Sequence, residues 1–373
     1  WIFVSYVFDR YHLRSFKLKY IKKYILKTFG IFLFFLVYNL IFGFKAFSIL
    51  IFFPLSIFTQ LYYLKISSKK IYRYKKWLTN DNSLIQTFQT YPKQFKNHKL
   101  VFFERNLKYS FSDFEGIILD NNLPEYYLLE EVNKFDKFKV FCSLDWCEIY
   151  TESIPLNIIK NDSFYKDLKK KNKISIYFII KRIFEFIFSL NILIILSPVI
   201  LLFSLLVVIQ DGFPIFYSQF RKGKNNRINK IYKIRSMKKE SELNGPQWSS
   251  YNDSRITFIG KYMRKKRIDE LPQLFSVIFG ELSLIGPRPE RPEIDDTLKK
   301  VIEFYDYRYL IKPGITGWAQ VNYPYGASIE DSKIKQSYDL YYVKNVSIIL
   351  DLIILFKTIR LILNGRGAIP QKK

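Results

Sequence analysis

Long runs of apolar residues alternate along this chain with short clusters of lysine and arginine. Residues 25–43 and 46–64 form two such runs, and each is long enough to cross a hydrocarbon core of about 30 Å. Basic residues precede the first run and follow the second, which places both outer ends in the cytoplasm. We therefore predict a transmembrane helical hairpin over residues 25–66. A buried hairpin of a soluble protein is disfavoured because neither run shows a polar face.

A third apolar run spans residues 174–209 and contains Ser197-Pro198 near its middle. A proline inside a helix lacks a backbone donor and clashes with the preceding turn, so it kinks or breaks the helix. The Ser197 hydroxyl can then hydrogen-bond a carbonyl that the break frees. The charged residues Lys181, Arg182 and Glu185 lie near the start of the run. Basic flanks at both ends favour a re-entrant broken helix, and a straight span with a kink is the alternative.

Shorter patterns between these runs are typical of soluble α/β structure. The β-prone runs are residues 100–103, 116–119 and 138–141, and residues 123–134 favour a helix. We predict a small α/β domain, with the basic segment that follows it, over residues 99–173. It is described as degenerate and nucleotide-binding-like, because it lacks the G-x-G-x-x-G turn that would hold a nucleotide.

The remaining segments complete the predicted α+β membrane protein. Residues 67–98 are polar and are predicted to be a linker. Residues 1–24 look like the tail of a preceding apolar segment followed by a basic cytosolic loop, so we expect earlier membrane segments to precede this chain. Residues 210–373 have globular composition and are predicted to form a C-terminal domain, which contains the candidate catalytic residues. Within them, residues 346–363 fit an interfacial amphipathic helix and a core helix equally well.

The composition agrees with association with a membrane. Of the 373 residues, 49% are hydrophobic and 18% aromatic, which is high for a soluble protein. The net charge of +26 attracts anionic lipids, phosphorylated substrates or nucleic acid. No nucleic-acid-binding motif is visible, so we expect no nucleic-acid partner. Cys142 and Cys147 are predicted to be reduced thiols, with a disulfide as the alternative.

Two adjacent carboxylates carry the chemistry that the sequence predicts. Asp269 and Glu270 directly follow the basic cluster Lys261–Arg267. Cations that hold phosphate oxygens, beside carboxylates that attack phosphorus or bind a metal, are what a phosphate site with a metal ion requires. Pro272 suits the first position of a helix, which would place the pair at the positive end of the helix dipole. An ordinary capping cluster is the alternative.

Further cations are candidates for phosphate binding. Arg288 lies between two prolines, and rigid neighbours fix a guanidinium for bidentate recognition of phosphate. Arg235 and Arg255 are candidates for the same role, although either fits a structural salt bridge equally well. Lys312 precedes a Pro-Gly turn and is expected to face the donor nucleotide or a lipid phosphate.

From about Lys181 to Gly367 the chain resembles the bacterial sugar transferases. These are the monotopic phosphoglycosyl transferases that attach hexose-1-phosphate to polyprenyl phosphate. The resemblance rests on a series of motifs in the order that the family has them. They are Lys181-Arg182, Ser197-Pro198, Asp211–Pro214, Gln219–Gly223, Tyr232–Met237, Asp253–Thr257, Ile268–Leu274, Ser283–Pro289 and Lys312–Val321. The N-terminal regions resemble the long members, and Gly365-Arg366-Gly367 resembles the exopolysaccharide branch.

The resemblance implies an enzyme that starts the assembly of exopolysaccharide, O-antigen or capsule repeat units. It would transfer sugar-1-phosphate from a UDP-sugar to polyprenyl (undecaprenyl) phosphate, with release of UMP and with Mg²⁺ as cofactor. The resemblance assigns Asp269 as the nucleophile that forms a phosphosugar–aspartyl intermediate, and Glu270 as the metal ligand. Glu185 stands where the family has an aspartate, which keeps the charge on a longer side chain.

The resemblance also implies membrane lipids as partners and a place in the bacterial inner (cytoplasmic) membrane, with the catalytic domain facing the cytosol. A homodimer through the α/β region stays open, and the motifs do not specify the sugar. Two other functions remain as alternatives. One is a single displacement with Asp269 as general base, and the other is a non-catalytic membrane scaffold or regulator of polysaccharide assembly.

Overall fold

A computed structural model describes most of the chain beyond its first 73 residues. It covers residues 74–95, 98–104, 110–120, 138–159, 176–239, 253–323 and 328–365, with a few single residues between these ranges. Contacts divide the chain into Trp1–Lys75 and Lys76–Lys373, and the described residues belong almost wholly to the second unit. The predicted transmembrane hairpin at residues 25–66 and the helix at residues 123–134 lie outside the described residues.

The first described part is a small α/β domain around a four-stranded sheet with the order β2-β1-β3-β4. Its elements are β1 (Lys75–Thr79), α1 (Asn82–Thr90), β2 (His98–Phe102), β3 (Gly116–Leu119), β4 (Lys139–Cys142) and α2 (Ser143–Tyr150). β3 pairs in parallel with both β1 and β4. Every residue of β3 is buried, as expected for a central parallel strand. The three runs predicted as strands are confirmed.

The linker predicted at residues 67–98 is wrong for its second part, because β1 and α1 lie within it. β1 contributes Trp77 and Leu78 to the core, and both side chains are fully buried. Two lysines precede Trp77, so only the second half of this strand shows an apolar pattern. α1 begins after Asp81, whose carboxylate accepts hydrogen bonds from two backbone N–H groups of the first turn at 2.8 and 3.1 Å.

Both cysteines of this domain carry free thiols, as predicted. Cys147 packs with Trp77 and Trp146 in the core of the α/β domain. Burial raises the pKa of its thiol, which therefore stays protonated and acts as a small apolar side chain.

The long apolar run forms one helix, α3 (Ile176–Asp211), of 36 residues. Among the described residues, it is the helix long and apolar enough to cross a membrane, with a mean hydropathy of 3.2 over 18 residues. The helix continues through Pro198, although the sequence predicts a break there. Pro198 has no N–H to offer the carbonyl of Ile194, and the Ser197 hydroxyl donates to that carbonyl instead at 2.8 Å. Ser197 therefore performs the predicted repair and keeps the helix hydrogen-bonded.

Both halves of α3 pack against the C-terminal domain. In the first half, Phe188 packs on the main hydrophobic core. In the second half, the ring of Phe203 stacks on Tyr262 with a centroid distance of 5.8 Å. Around the middle of α3 a short stretch is exposed, since Ile194 and Ile195 are 63% and 70% exposed. The domain therefore contacts both halves of α3 and leaves a short stretch around Ser197 and Pro198 exposed.

The C-terminal domain combines two small β pairs with several helices. Its elements are β5 (Phe216–Lys222), β6 (Ile228–Ile234), α4 (Phe258–Lys266), α5 (Gln273–Phe279), β7 (Ser283–Ile285), α6 (Pro292–Val301), β8 (Gly314–Thr316), α7 (Trp318–Asn322), α8 (Ile329–Lys344) and α9 (Ile348–Leu363). β5 and β6 form an antiparallel hairpin, and β7 and β8 pair in parallel. The main core gathers Leu284, Trp318, Tyr342 and Ile354 from four of these elements.

The last helix, α9, combines the two roles that the sequence leaves open. Leu350 and Ile354 are buried in the core, whereas Ile349 is 72% exposed and Leu363 is 51% exposed. One face of α9 therefore packs on the domain, and another presents apolar side chains outward.

The α/β domain is joined to the catalytic domain through α7 and α8. Trp318, which is 2% exposed, donates its indole N–H to the carbonyl of Glu152 at 2.9 Å. The N–H of Ile154 donates to the carbonyl of Ser337 in α8, also at 2.9 Å. Glu148 forms an ion pair with Lys344 at the end of α8. The small domain is thus attached to α8 through hydrogen bonds and an ion pair.

Candidate active site

The carboxylate pair lies in a tight connection between two helices. α4 ends at Lys266, and Arg267 follows in the left-handed region with φ 55°. One 3-10 turn, Ile268–Glu270, then leads through Pro272 into α5. Asp269 and Glu270 therefore lie just before the N-terminus of α5, as predicted, and they are 6% and 8% exposed.

Glu270 is held by three cations. Its Oε1 accepts hydrogen bonds from Arg288 at 2.6 Å and from Lys233 at 3.1 Å, and its Oε2 accepts from Arg267 at 3.1 Å. Burial raises the pKa of this carboxyl, but the charges of Arg288, Lys233 and Arg267 outweigh burial and hold the pKa well below its usual range. Glu270 is therefore ionised at neutral pH and organises the cations around it.

Asp269 lines the same cavity as Glu270 but is engaged differently. No described residue donates a hydrogen bond to its carboxylate. Burial and the charge of Glu270 raise the pKa of Asp269, whereas nearby Lys233, Arg264 and Arg267 oppose the rise. A carboxylate that has cations nearby, but accepts no hydrogen bond from them, is placed to attack an electrophile.

Arg288 is positioned by close packing of the chain beside the β7–β8 pair. A Cβ on Gly286 would lie 2.4 Å from the carbonyl oxygen of Lys312, so only glycine allows the two segments to approach this closely. The carbonyl of Arg288 accepts a hydrogen bond from Arg308 at 2.8 Å. Two motifs that are distant in sequence thus fix the backbone from which the Arg288 guanidinium reaches Glu270.

The carboxylate pair faces a cavity of about 340 Å³ in which cations far outnumber carboxylates. The cations that line it are Arg221, Lys233, Arg235, Lys238, Lys239, Arg255, Arg264, Arg267, Arg288, Arg291, Arg308 and Lys335. The lining carboxylates are Asp269, Glu270, Glu290 and Asp339. Such an excess of positive charge around a small volume fits a ligand with several negative charges, such as a diphosphate.

The sequence predicted that the basic stretch Arg221–Lys239 lies near lipid headgroups, but it did not predict that the β5–β6 hairpin forms one wall of this cavity. Tyr217, Gln219 and Arg221 alternate along β5 and all line the cavity, and Lys233 lies directly opposite Tyr217. Burial lowers the pKa of Lys233 to about 8, although Glu270 opposes the shift. The period of two along β5 is a signal that would have pointed to this wall.

Arg235 and Arg255 both line the cavity and both have structural partners. Arg235 forms an ion pair with Asp211 at 3.3 Å, which ties the end of β6 to the end of α3. Arg255 pairs with Asp253 through two hydrogen bonds of 2.8 and 2.7 Å. Both arginines therefore form salt bridges and also line the cavity, so the two roles that the sequence left open do not exclude each other.

Lys312 is not among the described residues that line the cavity. Its ammonium would lie 3.6 Å from a Cβ on Gly280, next to the guanidinium of Arg182. The structure thus places Lys312 beside α3 rather than with the carboxylate pair.

The charged residues near the start of α3 bind the catalytic domain. Arg182 donates to the carbonyl of Ile278 at 2.6 Å, at the C-terminal end of α5 where carbonyls lack helical partners. Lys181 donates to the carbonyl of Ile285 at 2.9 Å. Glu185 accepts from the N–H of Leu284 at 3.0 Å. The first half of α3 is therefore hydrogen-bonded to both ends of the α5–β7 connection.

The donor set of the site fits a divalent cation that is shared with a substrate. Among the described residues, no group of three or more His, Cys, Asp or Glu side chains could hold a metal ion. Mg²⁺ keeps several waters and binds through one or two carboxylates together with substrate phosphates. Asp269 and Glu270 supply carboxylate oxygens of this kind beside the cationic cavity.

Comparison with known proteins agrees with this site. The family model for bacterial sugar transferases matches residues 176–365. The chain is 46% identical over 193 residues to the UDP-N-acetylgalactosamine-undecaprenyl-phosphate N-acetylgalactosaminephosphotransferase of Aeromonas hydrophila, covering 52% of this chain and 46% of the relative. It is 39% identical over 194 residues to the undecaprenyl-phosphate glucose phosphotransferase of Komagataeibacter xylinus, covering 50% of this chain and 36% of the relative.

A shorter relative is matched almost along its whole length. The exopolysaccharide production protein PSS of Rhizobium leguminosarum bv. phaseoli is 35% identical over 187 residues, which are 48% of this chain and 94% of the relative. The chain spans less than half the length of the two longer relatives. The matched region contains α3 and all the elements that line the cavity, and the chain belongs to the bacterial sugar transferase family.

Proposed function

We propose that this protein transfers sugar-1-phosphate from a UDP-sugar to undecaprenyl phosphate and releases UMP. The observation that carries the proposal is the contrast within the carboxylate pair. Glu270 is held by three cations, whereas Asp269 faces the same cavity without a hydrogen bond from any described residue. Two relatives are named as undecaprenyl-phosphate sugar phosphotransferases, which supports this substrate class.

The first step is attack by an Asp269 oxygen on the sugar-bearing phosphorus of the donor. A bond forms between that oxygen and phosphorus, and the bond from phosphorus to the bridging oxygen breaks, so UMP leaves with that oxygen. A carboxylate that approaches a diphosphate meets anion–anion repulsion. Lys233, Arg267 and Arg288 reduce this repulsion and stabilise the charge that develops on the leaving phosphate.

In the second step an oxygen of undecaprenyl phosphate attacks the same phosphorus and displaces Asp269, which regenerates the carboxylate. Glu270 would hold Mg²⁺ together with the substrate phosphates. A bound Mg²⁺ would neutralise phosphate charge as a Lewis acid. Glu270 already holds Lys233, Arg267 and Arg288 within 3.1 Å, so it positions these three cations in both steps.

The acceptor has a long apolar tail, so the site must lie at a membrane surface. We propose that α3 bends at Pro198, so that it dips into the bilayer and returns to the same side, because the domain contacts both of its halves and leaves the stretch around Ile194 and Ile195 exposed. The outer face of the β5–β6 hairpin supports this placement, since Phe216, Phe220 and Ile228 are 49%, 58% and 59% exposed. The catalytic domain would face the cytosol of a bacterium, at the inner membrane.

The test is covalent labelling with a donor that carries radioactive phosphate next to the sugar. Full-length protein in detergent is incubated with Mg²⁺ and a panel of UDP-sugars without lipid acceptor, and labelled protein and released UMP are measured. We expect labelling and one equivalent of UMP with the correct sugar, and neither in Asp269→Asn. Asp296→Asn is the matched control, since this carboxylate is 61% exposed on α6.

Other outcomes identify the alternatives. Normal labelling in Asp269→Asn would exclude this residue as the nucleophile. UMP release that begins only when undecaprenyl phosphate is added would favour a single displacement with Asp269 as general base. No release under either condition would favour a non-catalytic scaffold.

A further inference from the structure

The cavity has two chemically different ends, and the carboxylate pair lies between them. The cationic end is formed by Ser236, Lys238, Arg255 and Arg264. The other end is formed by Gln320 and Tyr323 of the α7 region and by Ser332, Lys335 and Asp339 of α8. We name it the acceptor end after its hydrogen-bond acceptors, and the name does not refer to the lipid acceptor. These α7 and α8 residues have no part in the proposed displacement steps.

Contacts establish the order of these parts. Arg264 lies near Asp269 and donates to the Ser236 hydroxyl at 3.0 Å, so the cationic end adjoins the nucleophile. On the other side, Arg288 reaches Glu270 with its side chain and accepts from Arg308 with its carbonyl. Arg308 in turn forms an ion pair with Asp339 at 2.8 Å. The path from the carboxylate pair to the acceptor end therefore runs through two arginines.

The acceptor end contains buried oxygens that the described protein does not use. Asp339 is 1% exposed, and its Oδ1 accepts no hydrogen bond within the described part of the chain. The Oε1 of Gln320 is also buried and accepts none there. The Gln320 amide nitrogen donates to the carbonyl of Ile315 at 3.1 Å, which leaves its oxygen as the group without a donor. Buried acceptors that line a cavity call for a ligand that brings O–H or N–H groups.

Resting on the proposed function, we infer that the acceptor end binds the hydroxyl groups of the sugar that is transferred, with Asp339 and Gln320 as specificity-determining residues. A sugar presents several O–H donors on a compact ring, and it is attached to the phosphorus that Asp269 attacks. The cationic end suits the phosphate of the departing nucleotide, because Lys238, Arg255 and Arg264 lie there. The sugar then occupies the other side of the attacked phosphorus, where the buried oxygens of Asp339 and Gln320 line the cavity.

The cations of the acceptor end are already engaged by protein groups, which strengthens this assignment. Arg308 forms an ion pair with Asp339 and donates hydrogen bonds to the Tyr305 hydroxyl and the carbonyl of Arg288. Lys335 donates to the carbonyl of Gly326 at 2.8 Å. The charge of Arg308 is thus balanced by Asp339, which suits this end to a neutral polyol rather than to another phosphate.

The experiment compares Gln320→Leu and Asp339→Asn with the wild-type residues at these positions, all in full-length Asp269→Asn protein, which cannot form the phosphosugar intermediate, in detergent with Mg²⁺. Two affinities are measured by titration calorimetry, one for the preferred UDP-sugar and one for UMP, which has no transferred sugar. We expect the affinity for the UDP-sugar to fall roughly 10- to 100-fold in each variant, as for loss of a buried hydrogen bond. The affinity for UMP should stay within twofold of the value with the wild-type residues. Glu330→Gln, on an exposed position of α8, is the matched control.

Deoxy analogues of the sugar identify the recognised hydroxyl. Asp269→Asn protein that keeps Gln320 should bind one monodeoxy UDP-sugar about as weakly as the Gln320→Leu variant binds the complete donor. That variant should lose little more with the same analogue, because the two changes remove one hydrogen bond. The unfolding temperature of each variant is recorded. If loss of the Asp339 charge prevents folding, Gln320→Leu alone tests the inference.

Two results would overturn the inference. A fall in UMP affinity equal to that for the UDP-sugar would assign the acceptor end to the nucleobase. Unchanged affinities for both ligands in folded variants would show that this end binds neither. Because binding is measured in Asp269→Asn protein, which cannot turn over, a UDP-sugar that binds there but neither labels wild type nor releases UMP from it would refute the proposed function separately.

Discussion

Arg308 donates a hydrogen bond to the backbone carbonyl of Arg288 at 2.8 Å, while the Arg288 side chain reaches Glu270 at 2.6 Å. One arginine thus fixes the backbone of the other. Arg308 is buried, and its hydrogen bond to Tyr305 is 2.6 Å long. The cation closest to Glu270 is therefore held from behind by a rigid buried group, which limits its freedom before substrate binds.

Replacing Arg288 with lysine should reduce kcat/KM roughly 10- to 100-fold, the effect of losing a charge-assisted hydrogen bond. Lysine keeps the charge but lacks the planar fork that binds phosphate through two donors. UMP release at a series of donor concentrations measures the effect. Arg227→Lys is the control, because Arg227 is an exposed residue in the β5–β6 turn. Equal kcat/KM for Arg288→Lys and wild type would show that the fork is not used.

Lys233 predicts the pH dependence of the reaction. Burial lowers the pKa of this ammonium to about 8, so Lys233 loses its proton as the pH rises through about 8. Below that pH it pairs with Glu270 and offers positive charge to the donor, and above it the charge is lost. We therefore expect kcat/KM, which reports the free enzyme, to fall on the alkaline side of pH 8.

The variant Lys233→Arg separates this residue from other titrating groups. A guanidinium stays protonated throughout this range, so the alkaline fall should move to higher pH. An unchanged pH profile in Lys233→Arg would assign the fall to another group. For stability the sign is opposite. The lowered pKa of Lys233 disfavours folding below about pH 8, and this cost disappears as the pH rises toward the ordinary lysine value.

The carboxylate pair could be predicted from sequence because its signals are local. Asp269, Glu270 and Pro272 lie within four consecutive positions, and the structure places them before α5 as expected. The partners of Glu270 could not be predicted in this way. Lys233 comes from β6 and Arg288 from the segment after β7, and only the tertiary fold brings them together. The separation of such segments in the sequence does not give the distance between them in the fold.

The same distinction explains the elements that sequence reasoning misplaced. α3 is long and uniformly apolar, so its position was predicted within two residues of the observed bounds. β1 has five residues and begins with lysines, so its alternation is too short to separate from a linker. Asp339 and Gln320 drew no attention, because a buried acceptor without a donor is a property of the packed cavity and not of a motif.

Lys181 should contribute strongly to stability, because it connects α3 to three parts of the catalytic domain. Its ammonium lies 2.9 Å from the Ile285 carbonyl, 2.7 Å from the Tyr342 hydroxyl and 3.0 Å from the Asp351 carboxylate. Lys181→Met leaves Asp351 without this cation, and we expect a loss of about 3 kcal/mol in the free energy of unfolding. The fall in unfolding temperature in detergent measures it.

A double variant tests the cause of that loss. Lys181→Met combined with Asp351→Asn removes the uncompensated charge, so the pair should be more stable than Lys181→Met alone. Lys261→Met on the exposed surface of α4 is the control and should leave the unfolding temperature nearly unchanged. A double variant no more stable than Lys181→Met would show that the hydrogen bonds to Ile285 and Tyr342 matter more than the charge pair.

The repair of α3 at its proline gives a prediction with an internal control. Ser197→Ala removes the hydroxyl that donates to the Ile194 carbonyl at 2.8 Å, and in a bilayer no water replaces it. We expect this variant to lower the unfolding temperature of protein in lipid nanodiscs. Pro198→Ala restores the backbone N–H four residues beyond Ile194, so adding it to Ser197→Ala should recover the stability. Failure of the second change to recover stability would place the role of Ser197 outside this hydrogen bond. Recovery of stability together with loss of UMP release would show that the proline serves the shape of the membrane helix and not its stability.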